Sequence, residues 1–226
     1  MLEKIETNDV IIYQCGALKS GDPYQLLDVR LVSGRNLLKQ RTQAFKWWSL
    51  PPAIGGGPRS KIVRSMAKNG LLSSVFTNNV VRSALANSLI PQEYELHHNH
   101  PLALGGNNRK KNYRLIHQKA HTLLHKYVLD PMFKILEAEQ VIAHHSTEKL
   151  ILLKMPILPT VVTMKDVGLF LTPSEIEVEK NYIAGKEETT KHIMYEKQLK
   201  KPKVVTHHAT GRGQRGWTKQ RTGHHR

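Results

Sequence analysis

Between residues 10 and 32 two apolar runs flank Gly16 and the turn-forming Ser20-Gly21-Asp22-Pro23, a pattern that predicts short strands joined by loops. Trp47-Trp48, Pro51-Pro52 and Gly55-Gly56-Gly57-Pro58 follow and read as an aromatic anchor leading into a linker, which puts a boundary near residue 55. Beyond it the spacing becomes helical. Ile62, Val63 and Met66 mark one helix over residues 60–68, and Val80, Val81 and Leu85 a second over residues 79–89. Next come a strand ending at His97-His98, a loop through Gly105-Gly106, a second strand over residues 113–116, and a helix with Ala120, Leu123, Leu124 and Tyr127 at helical spacing. Together these make a β-β-α unit.

Asp130-Pro131 reads as the cap and first turn of another helix, whose apolar face is Met132, Ile135, Leu136 and Ile142. Residues 150–153 and 160–164 are candidate strands. Thr172-Pro173-Ser174-Glu175 fits a capping box opening a helix to about residue 183, and a further helical stretch runs from 187 to 200. The pattern predicts an α+β chain in four segments: a β-rich segment over residues 1–54, a central domain with flanking helices over 55–146, an α/β extension over 147–199, and a tail over 200–226. The tail cannot bury enough apolar area to fold alone, so it is expected to be disordered until it meets a polyanion.

Charge sharpens the choice of partner. Lys and Arg outnumber Asp and Glu by 34 to 18, and an excess of +16 favours nucleic acid ahead of an anionic membrane. Half of that excess lies in the tail, where eight Lys or Arg and four His accompany no acid. There Arg212 and Arg215 can contact phosphates while Trp217 stacks on an exposed base. No run of about 18 apolar residues occurs, and the start of the chain resembles neither a secretory signal nor a transit peptide. An intracellular setting is therefore expected, in a bacterial or phage cytoplasm or an organelle matrix, mitochondrial or plastid. Cys15 is the only cysteine, which excludes an intramolecular disulfide and a paired-cysteine zinc site. Any metal must rest on His or carboxylate.

His121 and His125 are four residues apart on the predicted helix, so one face presents both imidazoles to one ion. His97, at the end of the first strand, supplies a third ligand. Three neutral imidazoles suit Zn²⁺ or a similar ion and leave a coordination position open. His117, one turn earlier on the same row, is an alternative ligand, and His100 is expected to face solvent or phosphate. His98 has no structural duty beside a ligand and suits a general base. Asn112 can hydrogen-bond across the loop and hold His98 in orientation. Arg109, Lys110, Lys111 and Arg114 flank the loop and would position a phosphate backbone without reading its sequence. Of the other histidine pairs, at 144-145, 207-208 and 224-225, none is followed by such spacing, and His144-His145 are expected at the surface near a helix end. Residues 54–59 are Gly-rich but lack the Lys-Ser/Thr of a phosphate loop and read as a hinge.

Glu95-Leu96-His97-His98 followed by Pro101 and Gly105-Gly106, then Asn112, then His121 and His125 with three residues between them, resembles the HNH (ββα-metal) endonucleases, and among them the colicin and pyocin DNase type. The resemblance implies a ββα-metal core with one divalent ion, Zn²⁺ or alternatively Mg²⁺, Mn²⁺ or Ni²⁺, on His97, His121 and His125. It implies His98 as general base and Glu95 as a residue that helps hold the site. The implied activity is metal-dependent hydrolysis of phosphodiester bonds, with DNA favoured over RNA. The resemblance covers residues 94–127 only, and the interval from His98 to Asn112 is one residue shorter than is typical of colicins. The flanking regions do not look like those of a bacteriocin. A function of another class fits the same charge: a non-catalytic RNA-binding component of a ribosome or similar assembly that keeps the HNH fold.

Overall fold

The computed structural model describes residues 2–48, 58–139 and 149–199. The described chain is mixed α+β, with six α-helices and two small sheets. Residues Met1–Glu179 form one compact unit and Lys180–Arg226 a second. Among the described residues no helix is long and apolar enough to cross a membrane. The tail residues Arg212, Arg215 and Trp217 lie outside the described residues, as do Ile142, His144-His145 and most of the Pro/Gly-rich linker.

The first sheet holds β1 (Leu2–Glu6), β2 (Val10–Cys15), β3 (Tyr24–Asp28) and β6 (Leu150–Pro156), in the order β1-β2-β6-β3. Side chains alternate between the faces of a strand, so one face of β2 buries Ile11, Tyr13 and Cys15, and one face of β6 buries Ile151, Leu153 and Met155. β2 and β6 run parallel, with Ile11 beside Ile151 and Tyr13 beside Leu153, and β3 pairs antiparallel on the far side of β6. The two runs predicted near the start are therefore strands but not neighbours. The boundaries expected near residues 54 and 146 are both bridged by this sheet, because a strand from the expected extension completes the N-terminal segment.

The second sheet is β4 (Tyr94–His98), β5 (Tyr113–His117) and β7 (Val161–Val162), in that order. One face packs Leu96, Tyr113, Leu115 and Val161 against α2 (Pro58–Lys68) and α3 (Asn78–Asn87), whose contacts include Ile62, Val63, Met66 and Ala84. From the other face Ile116 and Val162 join a larger core that contains Leu124, Leu129, Met132, Leu136, Leu153 and Met155. That core sits between the four-stranded sheet and the helical run α4 (Gln118–Leu124) and α5 (Asp130–Ala138). The strand expected over 160–164 is short because Thr163 and Asp166 close a capping box that starts a helical turn over Met164–Leu169.

Two helices depart from expectation. α1 (Gly34–Trp48) occupies a stretch in which no element was predicted. α6 (Pro173–Leu199) merges the two helices expected at the C-terminal end: Gly185 is accommodated within it, at a propensity cost of only about 1 kcal/mol. Its start is as predicted. Thr172 N–H donates to Glu175 Oε2 at 2.8 Å, and Glu175 N–H donates back to Thr172 Oγ1 at 3.3 Å.

The Asp130-Pro131 pair does not open a separate helix. Pro131 has no N–H to donate and its ring crowds the carbonyl one turn earlier. The chain answers by widening into a π turn over His125–Leu129, with Asp130 N–H bonded to His125 O, and continues directly into α5. Asp130 has helical backbone angles and caps nothing.

Candidate functional site

Alternation along β4 separates the two adjacent histidines. Leu96 and His98 share the face that meets α2 and α3, where the His98 ring lies 4.4 Å from that of Tyr113, its partner across the ladder. His97 points to the opposite face and meets α4, with its ring centroid 4.6 Å from His121 and 5.9 Å from His125. His121 and His125 are themselves 4.7 Å apart, as one helix face with a spacing of four residues requires.

One ligand atom from each of His97, His121 and His125 lies within 4.8 Å of the others. Within this cluster the Nε2 atoms of His97 and His121 are buried and have no hydrogen-bond partner among the described residues. A buried polar atom left unpaired costs about 1–3 kcal/mol, so a fold keeps such a pair at a functional site and not by default. Burial pushes the His97 imidazole well below its ordinary pKa, and the neighbouring His121 and His125 push the same way. Burial also lowers His121, against the pull of Glu95. Neutral imidazoles with lone pairs converging at one point are what a divalent transition ion takes as ligands, so the donor set fits a metal.

The two helical histidines are each held from behind. His121 Nδ1 is 2.5 Å from Glu95 Oε1, and His125 Nδ1 is 3.0 Å from Asp130 Oδ1. Each carboxylate fixes the proton on Nδ1, which leaves Nε2 as the ligating atom. The Asp130 contact depends on the π turn. In a regular α-helix residues five apart diverge, whereas the wider turn brings positions i and i+5 to one face. Pro131 thus sets His125 through Asp130, a role sequence reasoning missed because Asp-Pro also reads as a helix start.

His98 is partly buried, and Nε2 bonds Asn108 Oδ1 at 2.9 Å. The same oxygen receives the Tyr113 hydroxyl at 3.2 Å, while Asn108 Nδ2 donates to Gln40 O in α1 at 3.3 Å. An oxygen that accepts both bonds puts the His98 proton on Nε2 and leaves Nδ1 with the free lone pair. Burial lowers the His98 pKa while the Asn108 bond opposes it. Asn112 does not reach His98. Its side chain accepts from His100 N–H at 2.7 Å and donates to His100 O and Asn107 O at 2.8 and 2.7 Å, closing the loop between the strands. Nothing in the spacing distinguishes the two asparagines. Only the path of the loop does.

That loop is tightly built. A Cβ on Gly106 would lie 1.8 Å from His100 O, and Gly105 takes a φ of +96°, so the pair predicted to permit a tight turn is required by it. Asn99 anchors the loop to the first sheet by exchanging hydrogen bonds with Gln25 at 2.8 and 3.3 Å. His100 turns inward, with Nε2 2.9 Å from Leu104 O, and does not face solvent as expected. His117 is not among the converging imidazoles: it caps α4, its Nδ1 accepting from Lys119 N–H, and its Nε2 lies 3.5 Å from Glu93.

Arg109, Lys110 and Lys111 are exposed beside the loop, whereas the Arg114 guanidinium donates to the carbonyls of Leu158, Lys111 and Tyr113. Comparison with protein-family models, with curated proteins and with solved structures finds no match to the chain.

Proposed function

We propose that the protein is a metal-dependent endonuclease of the HNH type, built on a ββα-metal core, that hydrolyses phosphodiester bonds of nucleic acid, DNA in preference to RNA. The observation that carries this is the convergence of His97, His121 and His125, two with buried unpaired nitrogens, next in sequence to a histidine held in one tautomer. His97, His121 and His125 would hold the ion, Zn²⁺ by donor type, with Mg²⁺, Mn²⁺ or Ni²⁺ as alternatives. When bound, it would supply Lewis-acid stabilisation of charge at the phosphoryl group and the departing oxygen.

The remaining chemistry belongs to the chain. His98 Nδ1 accepts a proton from the attacking water, and its neutral form is the one burial favours. Asn108 holds the imidazole through Nε2–H and so aims Nδ1. Glu95 and Asp130 orient the helical histidines, and Asn112 keeps the loop closed. Arg109, Lys110 and Lys111 offer cations to the substrate backbone, which positions it without reading sequence.

The test uses the full chain with each divalent ion on supercoiled plasmid and on RNA, with an EDTA control. We expect metal-dependent nicking, and a loss of about 10²–10⁴-fold in His98→Ala with one metal per chain retained. Stoichiometric metal binding with no cleavage of DNA or RNA would overturn the nuclease. The net charge of +16 favours a second function, a non-catalytic RNA-binding component of a ribosome or similar assembly. Co-sedimentation with ribosomes at moderate salt by a cleavage-negative chain would support it.

A further inference from the structure

α1 carries Arg35, Lys39, Arg41 and Lys46 and no acidic residue. On it Asn36, Lys39, Gln40 and Gln43 fall at positions i, i+3, i+4 and i+7 and line a groove of about 540 Å³ whose opposite wall includes Arg30 and Gly105. Asn36, Lys39 and Gln43 are exposed, and the solvent face of a helix normally mixes acids with bases. Here it is one lysine and three amides, a surface of donors and acceptors with a positive charge. Arg30 is paired with Asp28 at 2.7 Å, so the available cations are Lys39 and, one turn earlier on the same row, Arg35. Both are exposed, and neither has an acidic partner among the described residues.

The groove adjoins the general base. Gln40, in its wall, accepts through its backbone carbonyl the hydrogen bond from Asn108 that fixes the holder of His98. Gly105, in the other wall, belongs to the loop that Asn112 closes behind His98.

We propose that this groove binds the sugar–phosphate backbone of a nucleic-acid strand to one side of the bond that is cleaved. The proposal rests on the nuclease assignment for what happens at His98, but not for the binding itself. Lys39 and Arg35 neutralise phosphates, and the amides of Gln40 and Gln43 donate to phosphate and sugar oxygens. A strand seated there leads to the imidazole that must receive the water proton.

The experiment measures binding of short fluorescein-labelled DNA duplex, single-stranded DNA and RNA by anisotropy in EDTA, so that no cleavage intervenes. The groove variant is Arg35→Glu with Lys39→Glu. The control, Lys134→Glu with Lys165→Glu, reverses the same charge at exposed positions elsewhere. We expect the groove variant to lose about tenfold more affinity than the control on at least one of the three probes, and the salt dependence on that probe to flatten by a slope of about 1.8 for duplex or about 1.4 for a single strand. The probe that responds most identifies the strand type. Equal losses in the two variants on all three probes would overturn the groove, and so would an equal differential loss for labelled poly-glutamate, which would mark a general anion surface. Cleavage reports separately. Groove-dependent binding by a chain that cuts nothing overturns the nuclease alone, and cutting with equal losses overturns the groove alone.

Discussion

The four-stranded sheet and the three-stranded sheet treat buried polar groups in opposite ways. In the first, the buried positions of β2 and β6 are Ile11, Tyr13, Cys15, Ile151, Leu153, Met155 and Pro156, and the one thiol among them finds the Phe170 carbonyl at 3.3 Å. In the second, His97 is buried, as is Asn112 in the loop just before β5, and His97 and the adjoining His121 each keep a buried nitrogen with no partner among the described residues. Every hydrogen bond of Asn112 goes to loop backbone, so that asparagine serves shape, whereas the Nε2 atoms of His97 and His121 have no partner among the described residues. The contrast separates polar groups that are satisfied within the fold from imidazole nitrogens that lie close together without a partner among the described residues. The same chain spends apolar alternation on one sheet and tolerates desolvated nitrogens at the other.

Paired substitutions can break this comparison. Leu153→Ala, fully buried in the first sheet, is expected to lower stability by about 2–5 kcal/mol in chemical denaturation, with metal binding intact below the transition. His97→Leu should do the reverse. Replacing a buried unpaired polar side chain by an apolar one leaves the metal-free protein at least as stable. It should erase the zinc-induced stabilisation, read as a rise in melting temperature, which for three intact ligands amounts to about 4 kcal/mol at a thousandfold excess of ion over Kd. A strongly destabilised metal-free His97→Leu would mean that this histidine is an ordinary core residue and the contrast is false.

The carboxylates sharpen it further. Glu95→Gln and Asp130→Asn are each expected to weaken zinc affinity by about 10–100-fold by competition titration, because an amide can no longer stabilise the Nδ1 proton as a carboxylate does. Unchanged affinity would show that the two contacts are incidental. The smallest effect is assigned to Asn108→Ala. Loss of one hydrogen bond worth about 1 kcal/mol should cost roughly fivefold in kcat with KM unchanged, and ¹⁵N chemical shifts should show the His98 ring populating both tautomers. A KM effect with the tautomer unmoved would make Asn108 merely structural.

Much of the site was legible because its logic is local. The i, i+4 histidines, the strand before them and the Thr172–Glu175 capping box depend on neighbours a few residues apart, and each is where the spacing predicts. What was not legible depends on pairing across the chain. α1 escaped notice because Trp47-Trp48 and the Pro/Gly run after it read as an anchor and a linker, which hid the helix that leads into them. Asn108 and Asn112 differ only in where the loop carries them, and the capping of α4 by His117 follows from where β5 ends.

By itself, then, the sequence determined the local units: which residues alternate, which share a helix face, and which imidazoles are able to meet. The tertiary structure alone decided that β6 would lie between β2 and β3, that Pro131 would open the helix until Asp130 met His125, and that Asn108 and not Asn112 would hold His98. The physical reason is the same in each case. Local propensity acts over one turn or one pleat, whereas strand order, helix widening and loop path are settled by which buried surfaces and polar groups can be satisfied together.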